Sequence, residues 1–79
     1  MTDRTNLRVV ARWDAGETGC GGLIVGLKRQ LTPLEPGDVL EVVARGEGAP
    51  VDLFVWCRMT GHALLLEAPP RFLIQQRGS

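Results

Sequence analysis

Glu17-Thr18-Gly19-Cys20-Gly21-Gly22-Leu23-Ile24 is the stretch where the periodicity of the chain changes. Before it, Leu7-Arg8-Val9-Val10-Ala11-Arg12-Trp13 sets Leu7, Val9, Ala11 and Trp13 on one face, with Arg8, Val10 and Arg12 on the other. That period of two reads as a half-buried strand. After it, Leu23, Ile24, Leu27 and Leu31 recur at helical spacing while Lys28, Arg29 and Gln30 look outward, which predicts a helix from Cys20 to Leu31 that stops at Thr32-Pro33. Cys20 therefore stands at a strand-to-helix junction. The first N–H groups of a helix lack internal partners and its dipole favours negative charge, so a thiol there is biased toward the nucleophilic thiolate. Gly21, Gly22 and Gly26 each cost the helix roughly 1 kcal/mol against alanine. The reason for them must lie outside helix propensity.

Outward from this junction the chain alternates. Asp14 to Gly19 reads as a loop, and Leu34-Glu35-Pro36-Gly37-Asp38 as a turn with Pro-Gly at its centre. Val39-Leu40-Glu41-Val42-Val43-Ala44 is a β-rich strand, and Arg45 to Ala49 a glycine-containing connection. Pro50 suits the first turn of a second helix continuing through Val51 to Met59, with Leu53, Trp56 and Cys57 on its inner face and Thr60-Gly61 as the stop. Ala63 to Ala68 and Arg71 to Gln76 are two further strands joined at Pro69-Pro70. The order β-α-β-α-β-β predicts an α/β fold. Its form is a two-layer sandwich with two helices on one face of a four-stranded mixed sheet, parallel across the crossovers and antiparallel in the final hairpin.

The totals narrow the class. Residues 1–79 make one small domain, with 1–6 and 77–79 expected as tails. An apolar content of 44% is that of a globular chain. Nine basic and nine acidic residues balance to a net charge of zero, which gives no general attraction to nucleic acid or anionic membrane. Absence of Tyr and only two Phe leave little stacking surface for RNA. Two cysteines are too few for a disulfide-built secreted scaffold, the first six residues are polar, and no apolar run could span a bilayer. A cytoplasmic protein with reduced thiols is expected.

Several motifs together resemble the TusA/SirA-like family of small sulfur carriers over nearly the whole domain. Leu34-Glu35-Pro36-Gly37-Asp38-Val39-Leu40-Glu41-Val42 is similar to the family's turn and second strand. Asp52-Leu53 with Trp56-Cys57-Arg58-Met59-Thr60-Gly61-His62 is similar to its second helix and exit, and Arg71-Phe72-Leu73-Ile74 to its last strand. The family carries Gly-x-x-Cys-Pro-x-Pro at the start of its first helix. Here Gly16 or Gly19 precedes Cys20, the cysteine is kept, and Gly21-Gly22-Leu23 replaces Pro-x-Pro.

The resemblance implies that Cys20 accepts sulfane sulfur as a persulfide from a protein donor, a cysteine desulfurase or a rhodanese-type enzyme, and passes it to a protein acceptor. It implies no cofactor, since the carried sulfur is itself the reactive group; no metal is expected either, because Cys20, Cys57 and His62 do not pair at ligand spacing. Gly21 and Gly22 would let a donor's loop approach closely, and Lys28 and Arg29 are candidates for partner docking close to the sulfur site. The competing reading is a non-catalytic interaction or regulatory module that keeps the fold and has lost the relay. Cys57 reads as a core residue, with a resolving thiol as its alternative. His62 reads as a structural hydrogen-bonding residue, with a Cys20–His62 dyad as its alternative.

Overall fold

The computed structural model describes residues 9–77. The elements are β1 (Val9–Gly16), α1 (Cys20–Leu31), β2 (Val39–Ala44), α2 (Ala49–Thr60), β3 (Ala63–Ala68) and β4 (Arg71–Gln75). They form one four-stranded sheet in the order β1-β2-β4-β3. β1 and β2 run parallel because α1 returns the chain between them, while β4 pairs antiparallel with both β2 and β3. The expected element order and mixed sheet are therefore present, and β4 is inserted between β2 and β3.

One core holds the layers together. Leu23, Leu27 and Leu31 of α1 and Leu53 and Cys57 of α2 are buried in a single cluster with Leu40, Val42, Phe72 and Ile74 of the central strands. Both helices consequently cover the same face of the sheet. Burying each such side chain contributes about 1.5–3 kcal/mol, and β2, buried along nearly its whole length, is the centre of that gain.

Gly26 has a tertiary explanation. A Cβ at that position would collide with the indole ring of Trp13 on β1, so the glycine lets α1 sit down on the half-buried tryptophan. Where α1 ends, the Thr32 hydroxyl donates to the Lys28 carbonyl at 2.6 Å and the Gln76 side-chain amide donates to the Leu31 carbonyl at 2.6 Å. α2 ends on Gly61 in the left-handed region (φ 87°), whose N–H donates to the Cys57 carbonyl at 2.8 Å.

Some boundaries differ from the sequence reading. β1 continues through Asp14-Ala15-Gly16, expected as loop, because Asp14 and Gly16 pair with Val43 and Ala44 and the Arg45 N–H donates to the Gly16 carbonyl at 2.7 Å. Leu7, Arg8 and residues 1–6 and 78–79 lie outside the described residues. Arg77, expected to begin a tail, is held instead: its N–H donates to His62 Nδ1 and its guanidinium to the Thr60 carbonyl, both at 3.1 Å. A register shift between Leu64 and Leu66 also bulges β3, so that Glu67 shares a shallow cleft with Phe54 and Arg58 of α2.

Candidate functional site

The carboxyl end of β1 leads into a tight turn. Gly16 adopts φ +60°, and the Thr18 N–H and hydroxyl both donate to the Ala15 carbonyl, at 3.1 and 2.5 Å. Gly19 then stands extended as the N-cap, and the first helical bond runs from the Leu23 N–H to the Gly19 carbonyl at 2.8 Å. The N–H groups of Cys20, Gly21 and Gly22 thus precede the hydrogen-bonded ladder. A glycine cap offers them no side-chain acceptor, and no acidic residue occupies the first turn. Their partial positive charge lies at the start of α1, whose first residue is Cys20.

The glycines around Cys20 differ in their surroundings. A Cβ on Gly21 would meet open space, whereas one on Gly22 would lie 2.6 Å from the Thr18 methyl. Gly46 of the β2–α2 loop approaches the Thr18 carbonyl, so the two loops lie together. α2 starts there as well, on Gly48, again with no side-chain cap. The parallel pairing of β1 and β2 therefore brings two glycine-capped helix starts to one end of the sheet, the crevice beyond the strand ends where α/β proteins commonly bind.

Asp14 and Arg45 brace this end. Their side chains form an ion pair at 3.1 Å. The Gly16 N–H, donating to Asp14 Oδ1 at 2.9 Å, is the first cause holding the carboxyl below its ordinary value, with the charges of Arg45 and Arg12 adding to it. This clamp was not found from sequence. The signal would have been an Asp before a glycine at one strand end and an Arg at the end of the next.

The other candidates lie elsewhere. Lys28 and Arg29 occupy the last turn of α1. At 1.5 Å per residue they are about 12 Å from Cys20 along the axis, at the opposite end of the helix rather than beside it. Cys57 is 4% exposed in the core, and burial pushes its thiol up to about 11. It lies two turns along α2. His62 follows the C-terminal end of α2. Its ring lies 5.2 Å from that of Trp56, its Nδ1 accepts from Arg77, and burial together with the Arg77 charge lowers its pKa. That is the structural role expected of it.

A family model described as "Sulfurtransferase TusA" matches residues 12–72, from β1 into β4 and across Cys20. The chain belongs to the TusA sulfurtransferase family. Among curated TusA-like relatives, a Neisseria meningitidis protein named "Putative sulfur carrier protein" is 48% identical over 42 residues, 53% of this chain and 57% of that protein. The chain thus spans little more than half the length of that relative. A Bacillus subtilis protein of the same description, YrkI, is 42% identical over 52 residues, 66% of this chain and 69% of YrkI. No helix among the described residues is long and apolar enough to cross a membrane.

Proposed function

We propose that this TusA-family chain is a sulfur carrier whose working group is the Cys20 thiolate. The observation that carries the reading is the start of α1, where Cys20 heads a glycine-capped helix with no acid in its first turn. The thiolate attacks the outer sulfur of a donor persulfide. The donor's S–S bond breaks, its cysteine leaves as thiolate, and a new S–S bond forms on Cys20 with no net oxidation. The same exchange in reverse sense delivers the sulfur to an acceptor thiol, so no cofactor is required. The N–H groups of Gly21 and Gly22 favour the anionic sulfur in both steps.

Replacement of the family's first proline by Gly21 supports this chemistry, because it adds an N–H donor beside the cysteine. The donor fits a persulfide-bearing enzyme of the cysteine desulfurase or rhodanese type, and the acceptor a protein thiol, in the reducing cytoplasm. A partner touching both Cys20 and the Lys28–Arg29 turn must span about 12 Å of α1.

Mass spectrometry after incubation with a persulfide donor tests the proposal. Wild type gains one sulfur atom and Cys20→Ser gains none. A wild-type chain that stays unloaded, under conditions that load a Cys-Pro-x-Pro relative, sinks the carrier reading and leaves the non-catalytic module.

A further inference from the structure

α1 starts weakly on its own account. Gly19 gives the helix no side-chain cap, and Gly21 and Gly22 are poor helix formers in its first turn. A helix start of that composition frays unless the chain entering it is held. Here the entry is held at successive points. Asp14 Oδ1 accepts from the Gly16 N–H at 2.9 Å, on the residue whose φ of +60° turns the chain. The Gly16 carbonyl in turn accepts from the Arg45 N–H at 2.7 Å. Two residues on, the Thr18 N–H donates to the Ala15 carbonyl at 3.1 Å, and the Thr18 methyl fills the place of a Gly22 side chain. That last contact ties the turn to the first turn of α1.

Arg45 fixes the carboxylate on which this entry depends. Its guanidinium donates at 3.1 Å to the same Oδ1 that receives the Gly16 N–H. Both side chains are about half exposed, at 50% and 48%, and an ion pair so exposed adds little to global stability. What it does is local: it keeps one oxygen of Asp14 on one backbone N–H. The other ion pairs described, Glu41 with Arg12 and with Arg71, link strand to strand across the sheet.

We infer that Asp14, held by Arg45, is a positioning residue for the Cys20 thiol: its bond to the Gly16 N–H fixes the turn that orders the start of α1. The inference rests on Cys20 being the working thiol. Asp14 acts through the turn and not on the reacting sulfur. With the turn released, the first turn of α1 frays and its N–H groups no longer favour the thiolate.

Iodoacetamide alkylation of Cys20 across pH, read on its peptide by mass spectrometry, tests this without any sulfur donor. A wild type that never loads sulfur therefore leaves the test intact. Asp14→Asn and Asp14→Ala lose the same charge, but the asparagine carbonyl still accepts from Gly16. Charge loss alone moves both profiles down together. Positioning sets the Asp14→Ala profile about half a pH unit above that of Asp14→Asn, roughly a threefold slower alkylation at neutral pH. Coincident profiles overturn the proposal, whatever the melting temperatures do. So does an Asp14→Ala chain that circular dichroism shows unfolded, because the pair would then support the whole domain. A wild-type profile at the ordinary cysteine value overturns it too, since no activated thiol is then being positioned.

Discussion

The indole ring of Trp13 on β1 occupies the space that a side chain at Gly26 of α1 would need. Gly26→Ala gains about 1 kcal/mol of helix propensity but forces the tryptophan off its packing, a cost of about 1–3 kcal/mol. The expected result is a net loss of stability and a melting temperature several degrees lower. Gly21→Ala is the control. Its Cβ meets nothing, so the same substitution one and a half turns earlier raises the melting temperature.

Gly19→Asp separates helix stability from thiol chemistry. Gly19 is extended with open space around its Cα, so an aspartate fits there and caps the free N–H groups of α1. Stability rises by a few tenths of a kcal/mol. The added negative charge beside Cys20 raises the thiol pKa, so the pH profile of its alkylation moves upward and sulfur loading slows. An unchanged alkylation profile would show that the helix start does not activate the thiol.

Cys57 makes the fold sensitive to alkali. Its folded pKa is raised from 9.0 to about 11, so the folded state holds the proton more tightly than the unfolded chain. The stabilisation is complete below pH 9.0 and is lost as pH rises toward 11, with an upper limit of roughly 3 kcal/mol. Denaturant midpoints measured across this range fall more steeply for wild type than for Cys57→Ala. In native protein near neutral pH, Cys57 also alkylates far more slowly than it does in urea.

His62 has the opposite sense. Its folded pKa lies below the ordinary 6.5, so the unfolded chain takes up the proton first as pH falls. Its contribution is intact above pH 6.5 and is lost progressively below it. Protonation also ends the hydrogen bond from the Arg77 N–H to Nδ1. Melting curves between about pH 7.5 and about pH 5 should show an acid-side loss that His62→Gln reduces. The Arg77 amide resonance should titrate together with the imidazole.

Regular periodicity made much of the fold legible. The bounds of α1, β2 and β3 follow from Leu23-Leu27-Leu31 spacing, from the β-branched run at Val39, and from the stops at Thr32-Pro33 and Thr60-Gly61. Asp14-Ala15-Gly16 has turn composition, and only pairing with Val43 and Ala44 makes it strand. The bulge in β3 hides in Leu64-Leu65-Leu66, where three like residues carry no alternation to break. Gly26 looked costly because its partner is thirteen positions away. At the site, the sequence identified Cys20's position at a helix start, but Lys28 and Arg29 were read as neighbours when a helix of that length sets them at its far end.

The insertion of β4 between β2 and β3 also governs the order in which a growing chain can fold. β1, α1 and β2 can pair as they are made, but β3 has no neighbour in the sheet until β4 emerges to join it to β2. A nascent chain stopped before Arg71 therefore holds Cys20 in a frame lacking Phe72 and Ile74, two fully buried members of the core. The helix start beside Cys20 gains its full support only when the last strand of the sheet has been synthesised.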